Sequence, residues 1–270
     1  MSDRMQAIPG QLHREVAVAL AVADAIDSFT LPRFDARDFK VDWKDNQTEV
    51  SEIDREAELM IIEALRARFP DDDAFGEEHG LAGNGRASRR WVIDPIDGTS
   101  GFVRGIPVWA TLIGLLVDGR PVLGVVSAPA LGMRWWGGLG VGAHLRTARG
   151  TERTLVVSTV ADIADAQVSI THSSGWDRLG LTGALVGMQQ RTHRSRNMGD
   201  FWQHMLVAEG AVDVAVDAIG VAPYDLAAIA PIVEAAGGRF TDRHGEATHK
   251  HDSAISSNGL LHDEVIAALR

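Results

Sequence analysis

Between residues 11 and 29, Leu12, Val16, Ala19, Leu20, Ala23 and Ile26 recur at helical spacing, which predicts an amphipathic helix. A polar stretch, FDARDFKVDWKDNQTEVSE, follows. The helical period returns at about residues 53–69, with Ala57, Met60, Ile61, Ala64 and Leu65 on one face, and Pro70 with three aspartates closes it. From Arg90 the pattern shortens to strands. Trp91-Val92-Ile93 is an apolar run stopped by Asp94-Pro95. VWATLIGLLVDGRPVLGVVSAPA predicts two strands turning at Asp118-Gly119, and GMRWWGGLGVGAHLR a glycine-rich hairpin. After about Thr151 the elements alternate: strands at TLVVST and QVSIT, a helix over 199–209, a strand at VDVAV, and a helix over 225–236 closed by Gly237-Gly238.

Helices and strands in this order predict an α/β, layered α+β architecture. The 270 residues suffice for one large domain or two closely packed halves, and no repeat or low-complexity linker separates them. The expected division is an N-terminal α+β subdomain, 1–150, and a C-terminal α/β subdomain, 151–270. The first would carry most of the acidic candidates, the second Asp225 and the substrate contacts.

Composition narrows the chemistry. Hydrophobic residues make up 45% and charged residues 23%, ordinary for a soluble globular enzyme. The absence of cysteine excludes disulfides, thiolate zinc sites and cysteine nucleophiles, and fits a reducing cytosol. A formal net charge of −11 argues against a general nucleic-acid or anionic-membrane surface. MSDRMQAIPG lacks a basic region followed by an apolar run, and TLIGLLV is too short to span a bilayer, so a cytoplasmic protein is expected.

The most informative stretch is WVIDPIDGTSGF, residues 91–102. Asp94 and Asp97 flank the turn at the end of a strand, where two hard oxygen ligands in a cramped loop suit Mg²⁺. Gly98 lets backbone approach a ligand, and the amides of Gly98, Thr99 and Ser100 can hold phosphate oxygens. Each acidic residue also has a local reading. Asp97-Gly98 is a simple turn signal and Gly76-Glu77-Glu78 a solvated turn. Ser51-x-x-Asp54 reads as a capping box, and Asp225, after Pro223-Tyr224, as an N-cap.

In chain order, however, the sequence offers SEID at 51–54, GEE at 76–78, DPIDGTSGF at 94–102, PYD at 223–225 and EAAGG at 234–238. This series resembles the inositol monophosphatase family over nearly the whole chain from about His13. The resemblance implies an αβαβα sandwich and a metal-dependent phosphatase. It implies one Mg²⁺ held by Glu77, Asp94 and the carbonyl of Ile96, another by Asp94, Asp97 and Asp225, and a third, weaker site. Asp54 and Thr99 would then orient and deprotonate an attacking water near Glu77. Metal-assisted phosphoryl transfer needs positioning and charge stabilisation, and no serine or cysteine nucleophile. The same resemblance implies a homodimer. Two departures bear on substrate fit: Tyr224 stands where the family has Trp, and Gly101 where it has Asn.

Within the family, FVRGIPVWA, VVSAPAL, Trp135-Trp136, SSGW and GDFWQHMLVAEGAVDVAVD look closest to bacterial histidinol-phosphate phosphatases. That likeness implies a small phosphate monoester with a cationic alcohol part, L-histidinol phosphate. Asp217, ending the VDVAV strand, is the expected contact for its ammonium or imidazole, and Asp200 a second candidate that can equally cap a helix. Arg104 is expected to face substrate or a neighbouring subunit. An inositol-1-monophosphatase or broad sugar-phosphate phosphatase stands beside this reading, as does a catalytically inactive binding homologue. His249-Lys250-His251 reads as solvated surface and Trp176 as core. GGLGVGAH does not make a dinucleotide fingerprint, and no Walker A, G-x-S-x-G or H-E-x-x-H sequence occurs.

Overall fold

The computed structural model describes residues 12–43 and 49–269; the expected helix start at Gln11 lies outside the described residues. Helix α1 (Leu12–Ala36), the hairpin β1 (Val41–Trp43) and β2 (Glu49–Ser51), and helix α2 (Glu52–Arg68) come first. Strands β3 (Asp73–Gly76), β4 (Gly80–Ala82) and β5 (Arg89–Asp97) lead to a short helix α3 (Thr99–Arg104). A meander follows: β6 (Ala110–Val117), β7 (Arg120–Ala128), β8 (Met133–Gly138), β9 (Gly142–Thr147) and β10 (Glu152–Thr154). The second half holds β11 (Gln167–Ile170), α4 (Gly175–Arg178), α5 (Thr182–Arg191), β12 (Arg194–Arg196) and α6 (Asp200–Ala208). It ends with β13 (Val214–Asp217), α7 (Pro223–Leu226), α8 (Ile229–Ala235), β14 (Arg239–Thr241), β15 (Ala254–Ser257) and α9 (His262–Ala268).

Two sheets organise these elements into five layers. The larger has the order β10-β9-β8-β7-β6-β5-β3-β4, antiparallel except where β3 runs parallel to β5. The smaller has the order β12-β11-β13-β15-β14, with β11 parallel to both of its neighbours. Strand alternation explains the layering. Ile113, Leu115, Leu123, Val125 and Trp136 turn one way and pack under α1 and α2. Leu112, Val126 and Trp135 turn the other way, toward α6 and α8, which fill the space between the sheets. Helices α4, α5 and α9 cover the outer face of the smaller sheet through Trp176, Met188, Val265 and Ile266. Helix, sheet, helix, sheet, helix is therefore the order of layers. The adjacent Trp135 and Trp136 are both buried because the sheet is covered on both faces.

Four expectations differ from what forms. Helix α1 continues seven residues past Phe29, through Pro32, because Phe34 packs on Phe102 and Trp109 with ring centroids 5.4 Å away. TLVVST is not a strand beyond Thr154. It carries the chain from one sheet to the other, bonding singly through Leu155 N–H to Ala143 O and Val157 N–H to Ala236 O, with Val156 67% exposed. The helix expected over 225–236 is two, α7 and α8, parted at Ala227 and Ala228. Pro231 lacks the N–H that would continue the ladder to Ala227, so the break has a local cause. Strand β5 does not stop at Asp94-Pro95 but runs through to Asp97, with Pro95 O receiving the Thr111 hydroxyl at 2.9 Å.

Candidate active site

The irregularity in β5 aims two carboxylates the same way. Residues three apart on a regular strand point to opposite faces, yet Asp94 pairs with Leu112 and Asp97 with Ala110. Pro95 and Ile96 of β5 thus oppose the single Thr111 of β6, and the extra residue corrects the parity. Asp97 then reaches across to the start of α6, where its Oδ2 accepts the Phe201 N–H at 2.7 Å. That bond satisfies an amide which α6, beginning after Gly199, leaves without a side-chain cap.

Asp225 comes from the other half of the chain. It is the third residue of α7, with Oδ2 accepting the Ala222 N–H at 2.7 Å. Helix α7 can lie this close to the large sheet because Gly114 and Gly124, paired across β6 and β7, carry no side chains. A Cβ on Gly124 would stand 1.9 Å from Ala228 O, and one on Gly114 2.7 Å from the Ala227 carbonyl carbon. Oxygens of Asp94, Asp97 and Asp225 consequently lie within 4.8 Å of one another.

Asp54 repeats the local design of Asp225. It is the third residue of α2, fully buried, and its Oδ2 accepts the Ser51 N–H at 2.8 Å while Ser51 Oγ caps the helix. Its Oδ1 lies 3.1 Å from Thr99 Oγ1, which also lies 2.9 Å from Ile96 O. Glu77 extends the β3 ladder, its N–H on Ile93 O. Behind it the buried Glu58 carboxylate accepts the N–H groups of Glu78 and His79 at 2.8 and 2.7 Å and fills the space that a Cβ on Gly76 would need. Gly98, with φ of 84°, turns the chain into α3. The first intrahelical bond there runs from Phe102 N–H to Gly98 O, so the amides of Thr99 and Ser100 precede any partner within the helix.

Electrostatics mark this place. Burial, followed by the charges of Glu77, Asp97 and Asp225, holds the Asp94 carboxyl well above the usual range. Asp97 is raised in the same way by burial and then by Asp200 and Asp225. Asp225 is pushed up to about 6, with burial again the main cause. Burial also raises Asp54, against the lowering effect of its bonds from Ser51 and Thr99. Crowded carboxylates in a desolvated pocket favour either protons or a cation. An all-oxygen donor set from separate elements suits a hard divalent ion such as Mg²⁺, so the residues fit the metal that the sequence implies.

These groups line a cavity of about 360 Å³, together with Glu77, Ile96, Gly98, Thr99, Ser100, Asp200 and Asp217. Asp54 lies behind Thr99. Asp217, the last residue of β13, is 5% exposed and accepts from Gln203 Nε2 and His204 Nε2. Asp200, at φ of 46°, is the first residue of α6 and makes no side-chain cap there. Arg104 is not among the residues lining the cavity; its Nη1 lies 2.7 Å from Glu49 Oε1 and 3.0 Å from Ser100 O. Sequence reasoning passed over Glu49, Thr171 and His204, all on the cavity wall. His204 follows Asp200 by four residues, a spacing that signals a shared helix face. Trp176 is core, as expected. His249 is not solvated surface: it is buried, which pushes its pKa down to about 4. Its neighbour His251 is exposed and binds Asp242 at 2.8 Å.

Comparison with known proteins finds a family and relatives that extend over nearly the whole chain. The model of the inositol monophosphatase family matches residues 12–270. A histidinol-phosphatase from Mycobacterium tuberculosis is 45% identical over 257 residues, covering 95% of this chain and 98% of the relative. One from Streptomyces coelicolor is 44% identical, covering 94% and 96%. Among solved structures, a Thermotoga maritima IMPase superposes with a TM-score of 0.83 at 32% identity, covering 95% of this chain and 96% of that one.

Proposed function

The chain belongs to the inositol monophosphatase family, and from that premise we propose that it is a Mg²⁺-dependent phosphatase acting on L-histidinol phosphate. It is a phosphoric monoester hydrolase. The observation that carries the proposal is the convergence of Asp94, Asp97 and Asp225 oxygens within 4.8 Å. Glu77, Asp94 and Ile96 O would hold one ion, and Asp94, Asp97 and Asp225 another, with a third, weaker position nearby. When bound, Mg²⁺ supplies acidification of water and neutralisation of charge on the phosphoryl and leaving oxygens.

The chain's own groups do the rest. Thr99 Oγ1 lies within reach of Asp54 Oδ1, so as Thr99 accepts a proton from the attacking water it passes its own to Asp54. Burial raises the proton affinity of Asp54 and suits it to that task. The amides of Gly98, Thr99 and Ser100 orient phosphate oxygens. Asp217 and Asp200 give the far wall a negative charge matched to an ammonium or imidazolium. The identities with two histidinol-phosphatases support this choice of ester. The same reading makes the protein a cytoplasmic homodimer. An inactive binding homologue is disfavoured because Asp54, Glu77, Asp94, Asp97, Thr99 and Asp225 are all present.

Phosphate release from a panel of esters, with Mg²⁺ and with EDTA, tests the proposal. L-Histidinol phosphate is expected to turn over fastest, and EDTA to stop it. Turnover of inositol 1-phosphate with none of histidinol phosphate would move the assignment to inositol monophosphatase.

A further inference from the structure

One wall of the cavity is built from a polar cluster that neither the metal ligands nor the phosphate amides require. His204 on α6 is 1% exposed; its Nε2 stands 2.7 Å from Asp217 Oδ2 and its Nδ1 2.7 Å from Ser256 Oγ. A carboxylate only accepts, so Nε2 carries a proton toward Asp217, while Ser256 Oγ holds the ring at its other nitrogen. The same Asp217 Oδ2 accepts Gln203 Nε2 at 2.8 Å, and Gln203 Oε1 is fixed by Ser169 Oγ at 2.8 Å. Adjacent residues of α6 thus clamp one oxygen of Asp217 and leave the lone pairs of Oδ1 outside the clamp. Asp200 lies one turn earlier on the same helix and also lines the cavity. No lysine or arginine is among the described residues lining it.

We propose that His204 is a positioning residue: with Gln203 it fixes the Asp217 carboxylate toward the alcohol part of the substrate and makes the site selective for phosphate monoesters whose alcohol carries an ammonium. This rests on the phosphatase reading above. A histidine that only joined α6 to β13 and β15 would be needed equally for every ester, whereas a clamp on Asp217 matters only to substrates with a positive charge for it to meet. Loss of the clamp therefore weakens binding of the cationic ester and leaves the phosphoryl chemistry in place.

The test uses the full chain with Mg²⁺ and two esters, L-histidinol phosphate and glycerol 2-phosphate. His204→Met fills similar space without a donor, and His204→Gln offers an amide N–H toward Asp217. In His204→Met, KM for histidinol phosphate is expected to rise about tenfold, the scale of one hydrogen bond to a charged group. Its kcat should change less than about threefold, and KM for glycerol 2-phosphate less than about twofold. His204→Gln should recover most of the loss. Equal losses on both esters, or no loss on either, overturn the inference. If His204→Met melts below the assay temperature, Ser256→Ala, which frees the ring at Nδ1, should raise KM for histidinol phosphate about threefold; an unchanged KM is then the overturning result. A parent enzyme without preference for histidinol phosphate defeats the functional reading and this inference with it. A parent with that preference, retained in His204→Met, defeats this inference alone.

Discussion

Asp54 and Asp225 each do two jobs with two oxygens. Oδ2 takes the N-cap amide of the carboxylate's own helix, while the other oxygen is left to the site. Asp54 closes the capping box expected of it, whereas Asp225 is not the N-cap of its helix but its third residue, reaching back to the N–H of Ala222. The charge they bring has a thermodynamic consequence. Asp94, Asp97 and Asp225 all have folded-state pKa values above the ordinary 3.8. Without metal, the folded chain therefore binds more protons than the unfolded chain from about pH 4 upward, so stability falls as pH rises through the window. For Asp225 that window closes near 6. Thermal melts in EDTA should show the Tm of the parent falling relative to that of Asp94→Asn between about pH 4 and 6, because buried histidines such as His249 contribute equally to both chains, and a difference that does not change with pH would contradict the cluster. Asp94→Asn should melt higher than the parent in EDTA at neutral pH, yet lose at least about a hundredfold in phosphate release.

At the scale of elements, the decisive features are places where regular structure gives way. The extra residue in β5 turns Asp94 and Asp97 to the same side, and the break between α7 and α8 sets two alanines against the glycines of β6 and β7. Gly124→Val should be severe: its Cβ would meet backbone, which cannot swing aside as a flexible side chain can. Overpacking of this kind costs about 1–3 kcal/mol or more, and moving α7 displaces Asp225. A lowered Tm together with a loss of activity is expected, and a variant with parental activity would show that the approach is not needed. Helix α2 and the β6–β7 hairpin were legible because their apolar periods are long and uninterrupted. The short strands β3 and β4, and the hairpin of β1 and β2, were not. They are three or four residues long and owe their form to neighbours rather than to a period of their own.

For the whole molecule, five layers place the cavity where the large sheet, the small sheet and the helices between them meet. Asp94 and Asp97 enter from β5, Asp225 from α7, and Asp217 from β13. An ion bound there ties together segments distant in sequence and is present only in the folded chain, so mass action stabilises the fold. At a hundred times Kd this amounts to about 2.7 kcal/mol. Mg²⁺ should raise Tm near neutral pH, with EDTA reversing it and Asp94→Asn blunting it; an unmoved parental Tm would count against the site. The sequence by itself determined which acidic side chains exist, at which spacings, and the alternation of helix and strand, because local periods and turn residues are written one after another along the chain. Only tertiary structure decided that the carboxylates share one pocket, that Arg104 turns to Glu49, and that His204 holds Asp217. Those contacts join residues tens to more than a hundred positions apart, or depend on which face of a helix meets a sheet, and neither spacing nor composition encodes such distances.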